Sequence, residues 1–376
     1  MTAVHVVAMV CAGSILLVWI IYPALMGCLA AQRGADAGLS GAHDRRTPSV
    51  SVIIATRDDV TTLKERLVDC LRSAHDPQRF EVIVGVDARS EHPFAEYAIE
   101  AGNVKIVRGD SPGGKAATLN AAVRAARHEL LLFTDAHQHF ERDAVPRLTA
   151  AFDDDGVGAA SGRLELSRVA SRSPVGRYWS YERWLRRCEA TVNSCVGVTG
   201  AIWAMRRSLW SPLPTSLILD DVFAPMRVVL AGHRVVFVDD ARATDLRTPA
   251  PVQEYRRKVR TLTGVLQLCC WLPEVLLPSR NPIWLQFMFH KLLRLLTPYF
   301  LIGLAASAGV TLFHWFGTTH AAMSLPFITV AGIGAVKKSK IARVVGSAVV
   351  WTVALQAALV VATVNGIRRQ WDVWSS

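Results

Sequence analysis

An uninterrupted apolar run near the start of the chain limits its possible folds more than any other feature. Residues Val4 to Ala31 contain no Asp, Glu, Lys or Arg. As a helix, a run of this length crosses about 30 Å of hydrocarbon. It is too long for the apolar core of a secretory signal and no basic residue precedes it, which favours a membrane anchor. Because Arg33, Arg45 and Arg46 follow, we expect the next domain on the cytoplasmic side of a plasma or inner membrane.

The remaining composition fits a membrane-attached enzyme or binding protein. The chain has 376 residues, is 51% hydrophobic and carries a net charge of +11, so it can hold a domain of about 200 residues plus membrane segments. Its arginines flank apolar segments, which favours membrane lipids or a phosphorylated substrate over nucleic acid. The seven cysteines lack the paired spacing of a zinc site.

The pattern along the chain predicts five segments. They are a transmembrane helix (1–32), a linker (33–48), a domain of alternating strands and helices (49–250), amphipathic interface helices (251–294) and a membrane region (295–376). About three spans are expected in the last segment, at Leu295–Phe316, Ala321–Val336 and Val344–Gly366. Four spans in all would place the C-terminus outside, which Arg368 and Arg369 disfavour. The number of spans and the side of the C-terminus therefore stay open.

The segment 49–250 has the pattern of an α/β domain. Buried strands are predicted at Val50–Ala55, Phe80–Val86, Val104–Val107 and Glu129–Phe133, with helical spacing between them. Strands that alternate with helices indicate a single, mostly parallel sheet. Ligands of such sheets bind at the carboxyl ends of the strands.

Acidic residues follow two of these strands. Asp135 ends one strand and His137 lies two residues later, so both side chains can reach a divalent cation that holds a diphosphate. A histidine ligand suits Mn²⁺ better than Mg²⁺. Asp87 ends another strand and can accept a hydrogen bond from a base or ribose. The alternatives are that Asp87 and Asp135 cap helices and that His137 is a surface loop residue.

Three further groups are candidates for binding or catalysis. Lys115 follows two glycines at a helix start, where it can contact phosphate with help from the helix dipole. The pair Asp220-Asp221 follows apolar residues, so one carboxylate can be a general base. An N-cap followed by a first-turn acid explains the pair equally well. Basic residues at the start of the next helix can contact lipid headgroups or a pyrophosphate leaving group; they are Arg256, Arg257 and Arg260.

Taken in order, these pieces resemble a known enzyme family. They are Val52 to Asp59, Asp87, the run Gly114-Lys115-Ala116-Ala117-Thr118-Leu119-Asn120, Asp135, the segment Gly200 to Arg207, and Asp220-Asp221 followed by Gly232 to Val236. From about Ser49 onward the chain resembles the membrane-embedded family-2 glycosyltransferases, the group of the cellulose, chitin, hyaluronan and poly-N-acetylglucosamine synthases.

The resemblance implies a GT-A type fold and an inverting transfer from a nucleotide-diphospho-sugar, a UDP-hexose or UDP-N-acetylhexosamine, to a growing polysaccharide. It implies Asp221 as general base with Asp220 beside it, and Asp135 on a divalent metal, Mn²⁺ or Mg²⁺. The substrate-binding residues implied are Thr56, Asp59, Asp87, Lys115, Gly200, Gln253, Arg256, Arg257 and Arg260.

Two departures from the family pattern leave alternatives open. His137 stands where the metal motif usually has a second Asp, and Arg257 stands where processive members carry a Trp that stacks on the acceptor sugar. A second alignment makes Arg257 and Arg260 the functional pair. The alternatives are transfer of one sugar to a membrane lipid, and a non-catalytic nucleotide-binding subunit. A partner subunit or a homo-oligomer is a further possibility.

Overall fold

The computed structural model describes residues 3–34, 48–73, 75–97, 99, 102–167, 171, 173–247, 251–315 and 340–371. These residues form an eight-stranded sheet in the order β3-β2-β1-β4-β7-β6-β8-β5. The four strands β1 to β4 are mutually parallel, and β7 runs antiparallel between β4 and β6. The strands are β1 Val50–Thr56, β2 Phe80–Val86, β3 Val104–Arg108, β4 Leu130–Thr134, β5 His139–Phe140, β6 Val157–Leu166, β7 Trp203–Arg206 and β8 Arg234–Asp245.

Helices cover both faces of this sheet. One face packs against α3, α6 and α7, and the other against α2 and α4. Successive strand residues alternate between these two cores, with Ile53 in one and Val52 and Ile54 in the other. The helices are α1 Ala3–Arg33, α2 Val60–Leu71, α3 Lys115–Ala125, α4 Ala144–Thr149, α5 Pro174–Val192, α6 Asp220–Leu230, α7 Pro251–Trp271, α8 Trp284–Trp315 and α9 Lys340–Ile367.

The predicted fold class is confirmed. Each of the first four predicted strands agrees with the structure to within one residue at either end, because continuous apolar runs mark strands that are buried on both faces. The last strand, β8, contains the apolar run Val235 to Val238 and continues beyond it to Asp245. Its second half is polar and pairs with β6 beyond a register shift, so no apolar run indicated it.

Two helices in the described part of the chain are long and apolar enough to cross a membrane, α1 and α8. The predicted boundary between residues 294 and 295 falls inside α8, so the expected interface helix and the expected span are one helical run. The predicted linker and the predicted span Ala321–Val336 lie largely or wholly outside the described residues. Within α9, Val353–Ile367 is a shorter apolar stretch.

A buried ionic network joins α1 and α8 to α5. The ring of His290 lies between two carboxylates of α5: Nδ1 is 2.8 Å from Glu189 Oε2, and Nε2 is 2.9 Å from Glu182 Oε2. Only the imidazolium form donates to both. Arg294 pairs with Glu182, and the hydroxyl of Tyr22 donates to Glu189. His290 and Arg294 lie in the segment 251–294 that was predicted to form interface helices, and in the structure they contact the carboxylates of α5.

Candidate active site

The candidate site lies at the carboxyl ends of three neighbouring parallel strands. Thr56 ends β1, Asp87 follows β2 and Asp135 follows β4. The strand register pairs Thr56 with Val86, and Ile54 with Thr134. The three side chains therefore come from one edge of the sheet, as the sequence predicted.

An acidic cluster, formed by Asp135, Asp220 and Asp221, surrounds the side chain of Lys115. The ammonium Nζ lies 3.1 Å from Asp135 Oδ1 and 3.3 Å from Asp220 Oδ2. Burial alone would lower the pKa of Lys115, but the three carboxylates raise it above its ordinary value. Lys115 is thus a fixed cation at the start of α3.

Gly200 separates the two sides of the acidic cluster. A Cβ built on this residue would lie 3.6 Å from Asp221 Oδ2 and 4.0 Å from Asp135 Oδ2. The carboxylates of Asp135 and Asp221 therefore face the same small space, and the absence of a side chain at Gly200 keeps that space free. A ligand there can contact both groups at once.

Asp221 is the member of the cluster whose acidity is most changed. Burial first, and then the neighbouring Asp220, raise the pKa of Asp221 from 3.8 to about 6, while Lys115, Arg260 and Arg186 act in the opposite direction. A carboxylate with a pKa near 6 is ionised at neutral pH and more basic than an exposed aspartate. It has the properties of a general base.

The loop before Lys115 is shaped by Asp87. This carboxylate is buried and accepts hydrogen bonds from the backbone N–H of Gly114, at 2.9 and 3.0 Å, and of Arg89, at 2.9 Å. Gly113 and Gly114 have φ values of +88° and +99°, which side-chain-bearing residues adopt at a cost. Asp87 therefore holds the turn that delivers Lys115 to the acidic cluster, and its predicted contact with the substrate stays a prediction.

Comparison with known families identifies the domain. The model of the family described as glycosyltransferase like family 2 matches residues 48–264, which include every part of the site described above. This chain belongs to that family. The glycosyltransferase activity and the GT-A-like fold predicted from the sequence are thereby confirmed. No curated protein sequence matches the chain.

Solved structures give a similar result for the fold of this glycosyltransferase. The mannosyltransferase PcManGT from Pyrobaculum calidifontis, in complex with GDP-Man and Mn²⁺, is 20% identical over 98% of this chain and 99% of that chain, with a TM-score of 0.70. A mycobacterial protein is 16% identical over 64% of this chain and 78% of its own, with a TM-score of 0.43. For S. aureus TarS 1-349 the identity is 16%, over 58% and 65%, with a TM-score of 0.39. Likeness at these identities concerns the fold alone.

The segment after β1 of the glycosyltransferase differs from the expected arrangement. Asp59 is exposed and caps α2, accepting hydrogen bonds from the backbone N–H of Thr61 and Thr62 at 2.8 and 3.0 Å. These hydrogen bonds lower the pKa of Asp59. Asp58 is the acid on the site side, because Thr56 Oγ1 donates to it at 3.0 Å and His137 Nε2 lies 3.2 Å from it. A substrate contact by Asp59 stays a prediction.

The predicted basic residues of α7 divide into two groups. Gln253 and Arg256 are exposed. Arg257 pairs with the buried Glu254 at 2.8 Å, and its guanidinium lies 5.0 Å from the centre of the Trp179 ring. Arg260 is half-buried: burial lowers its pKa, and all three carboxylates of the acidic cluster act to raise it. Arg260 is therefore the residue of this set that faces the acidic cluster.

The side chains available as metal ligands restrict how a metal ion can bind. In the described part of the chain, no group of three or more His, Cys, Asp or Glu side chains is placed to hold a cation. Asp135 is 41% exposed, and at sites that bind substrate phosphates a Mg²⁺ ion is usually held by one or two carboxylates together with those phosphates. The residues fit an ion that is bound together with the donor, and Asp135 is the carboxylate that would hold it.

Three residues of the site were not found from the sequence. Asp58 adjoins Asp59, and only the cap geometry shows which of the two faces the site. Arg89 lies beside the glycine turn, where a Cβ on Gly114 would be 2.8 Å from its guanidinium. Arg186 lies on α5 and acts on Asp221 from a helix that carries no recognised motif. Its position depends on tertiary packing.

Proposed function

We propose that this glycosyltransferase moves a hexose from a nucleotide-diphospho-sugar to a hydroxyl group of an acceptor at the membrane, with inversion at the anomeric carbon. One observation carries the proposal: the basic carboxylate of Asp221 faces Asp135 across the space that Gly200 leaves free. A donor and an acceptor that meet in this space have a base on one side and a phosphate-binding corner on the other.

The reaction follows from these positions. Asp221 accepts the proton of the acceptor hydroxyl, and the oxygen forms a bond to the anomeric carbon. The bond from that carbon to the diphosphate oxygen breaks with its electron pair, and the nucleoside diphosphate leaves. Because the attack comes from the face opposite the leaving group, the configuration inverts. Lys115 and Arg260 lie where they offset the charge that develops on the diphosphate.

The donor is assigned to the strand edge. We place the nucleobase and ribose near Thr56 and Asp87, as the family resemblance implies, with Asp58 added by its position beside His137. The sequence favours a UDP-hexose or UDP-N-acetylhexosamine. GDP-mannose is the donor bound to PcManGT, and it is therefore included in the donor panel below.

A divalent ion is part of this proposal. It would be held by Asp135 with the phosphate oxygens of the donor, and when bound it would stabilise the negative charge of the leaving group. PcManGT contains Mn²⁺, and the nearby His137 favours the same metal over Mg²⁺. His137 contacts Asp58, so its contribution to the metal site is the less supported of the two.

We propose that α1 and α8 cross the plasma or inner membrane and that the catalytic domain is cytoplasmic. In the most apolar stretch of α1 only 11% of the residues are buried inside the protein, and in that stretch of α8 only 22% are buried. Exposed apolar surface of this extent supports placing both helices in a lipid environment. Arg33 at the end of α1 is consistent with a cytoplasmic domain.

We propose a membrane lipid, in preference to a growing polysaccharide, as the acceptor. Arg257 holds the position at which processive members carry a Trp, and its guanidinium lies over the ring of Trp179. This face of Trp179 is therefore not free to stack on an acceptor sugar. Polysaccharide extension is the second candidate, because Gln253 and Arg256 match the Gln and Arg that precede the Trp in processive members of the family.

Nucleotide release from the purified protein in lipid nanodiscs tests the proposal. UDP-, GDP- and TDP-sugars are offered with Mn²⁺ or Mg²⁺ to the wild type, to Asp221→Asn and to Asp155→Asn, whose side chain is fully exposed. We expect metal-dependent release from one donor that is lost in Asp221→Asn and kept in Asp155→Asn. Equal release by all three proteins, or none from any donor, would contradict the proposal.

The same samples separate the two acceptors. A product that carries one added sugar supports the lipid acceptor, and a ladder of products supports polysaccharide extension. The mass of the nanodisc particle tests the possible homo-oligomer.

A further inference from the structure

Two arginines on one side of α5 have no carboxylate in direct contact, although Asp239 and Glu165 act on Arg183 from a distance. Arg183 and Arg186 are both half-buried, and neither makes a hydrogen bond or an ion pair with any residue that the structure describes. The nearby Arg163, in contrast, contacts Glu165 at 2.9 Å and Asp239 at 3.5 Å. A partly buried cation is poorly compensated by carboxylates that it does not contact directly. The arrangement is therefore explained if an anion comes from outside the chain.

Both arginines line one cavity. It has a volume of about 50 Å³ and lies between the end of β6, α5 and the segment that leads to Gly200. One water molecule needs about 10–15 Å³ of such space, so the cavity accommodates a group of several heavy atoms. Its other lining residues include Gly162, Trp179, Ser180 and Thr199.

The cavity adjoins the proposed base. Arg186 acts on Asp221 and lowers its pKa, against the effect of burial. Thr199 lines the cavity and directly precedes Gly200, which faces the same carboxylate. The backbone N–H of Val198 donates to the carbonyl of Asp221 at 2.9 Å. An anion in the cavity therefore lies close enough to Asp221 for one acceptor molecule to contact both.

Further cations lie toward the membrane helices. The ammonium of Lys258 is 4.4 Å from the centre of the Tyr178 ring and 5.8 Å from that of Trp179. Burial lowers the pKa of Lys258 to about 8, although Glu254 acts to raise it. Lys291 of α8 is close enough to Arg186 and Lys258 for these charges to repel each other, and the carboxylate of Glu182 attracts both lysines. The positive surroundings of the cavity thus continue to a helix that we place in the membrane.

We propose that this cavity binds the phosphate of a membrane lipid that carries a free hydroxyl group, and that this lipid is the acceptor. The inference rests on the proposed function. The phosphate contacts Arg183 and Arg186 and is not consumed, while the hydroxyl of the same lipid reaches Asp221 and is glycosylated. The positive path past Lys258 and Lys291 leads the headgroup in from the bilayer.

The test compares a phosphate-bearing lipid with a neutral one. Phosphatidylinositol and glucosyl diacylglycerol both offer hydroxyl groups, but only the first carries phosphate. Each is added to phosphatidylcholine nanodiscs, and nucleotide release is measured at pH 8, above the pKa of Asp221 in the wild type. The proteins are the wild type, Arg183→Gln, Arg186→Gln, Arg186→Lys and the control Arg187→Gln, whose side chain is 65% exposed on the same helix.

We expect phosphatidylinositol to stimulate release in the wild type and glucosyl diacylglycerol to leave it unchanged. The acceptor KM should rise by about 10- to 100-fold in Arg183→Gln and Arg186→Gln, as expected for the loss of a hydrogen bond to a charged group. The donor KM should stay within about twofold, Arg186→Lys should recover part of the loss, and Arg187→Gln should behave as the wild type. Inorganic phosphate should compete with phosphatidylinositol.

Three results would overturn the inference while leaving the transferase intact. These are equal stimulation by the two lipids, an unchanged acceptor KM in both glutamine variants, and acceptor-free release that no lipid increases. Inhibition by inorganic phosphate that rising phosphatidylinositol does not relieve would assign the cavity to a free anion and would also overturn it. Loss of all nucleotide release from the wild type refutes the proposed function instead.

Discussion

Replacing Asp221 with Asn should make the protein more stable while it removes activity. Buried in the acidic cluster, the carboxyl has a pKa of about 6 against 3.8 in an unfolded chain. The folded state therefore binds the proton more tightly than the unfolded state does. The destabilisation that follows is absent below pH 3.8, grows as the pH rises toward 6, and is complete above it. An asparagine at this position never ionises and avoids that effect.

The size of this effect follows from the shift. About two pKa units correspond to about 3 kcal/mol, and because Asp221 is only half-buried, solvent screening reduces the expected gain to about 2 kcal/mol. Thermal unfolding of the wild type and the variant in nanodiscs, at pH 4 and pH 8, measures it. We expect the variant to have the higher midpoint at pH 8 and the two midpoints to approach each other at pH 4. Asp155→Asn, with a fully exposed side chain, should match the wild type at both values.

An equal gap between the variant and the wild type at both pH values would contradict this prediction. A variant that is the less stable protein at pH 8 would contradict it as well. Either result would mean that Asp221 is not held in the environment that raises its pKa.

Three further predictions concern the same structure. The kcat/KM of the wild type should fall about tenfold for each pH unit below pH 6. In Lys115→Met this decline should begin at a higher pH, because a cation that lowers the pKa of Asp221 is lost. An unchanged pH profile of the variant would contradict this prediction. Gly200→Ala should unfold at the wild-type temperature, since the added Cβ makes only ordinary contacts, yet lose at least about tenfold in kcat/KM, as steady-state kinetics would show. Glu189→Gln should cost about 3–5 kcal/mol, seen as a lower unfolding midpoint, because His290 loses one of its two buried carboxylate partners; an unchanged midpoint would refute the network.

The first half of the catalytic domain was predictable because three of its strands, β1, β2 and β4, are buried on both faces. The runs that end at Val86 and Phe133 are apolar throughout, and the acids that follow them must lie at the same edge of a parallel sheet. The approach of Lys115 to Asp135 follows from the same topology. Local sequence was enough here because each residue lies directly at the end of a regular element.

The acceptor side could not be predicted in this way. Arg186 reaches Asp221 only because α5 packs across the sheet, and nothing in its helical spacing separates it from Arg187, which is largely exposed. The choice between Asp58 and Asp59 depends on which residue caps α2. Similarly, His290 and Arg294 have the composition of an interface helix, and only their contacts with Glu182 and Glu189 show that they are buried.

The network around His290 has a consequence for the choice of acceptor. It fastens α5 to α8 and, through Tyr22, to α1, and Gln286 of α8 adds hydrogen bonds to the backbone of Glu189 and Ser194. Because α5 also carries Arg186, this packing sets the distance from the bilayer surface to the active site if α1 and α8 cross the membrane as we propose. The distance between the reacting hydroxyl group and the bilayer surface then determines which acceptors can react. We expect headgroups whose hydroxyl stands at that one height above the bilayer to react, and both shorter and taller ones to be excluded.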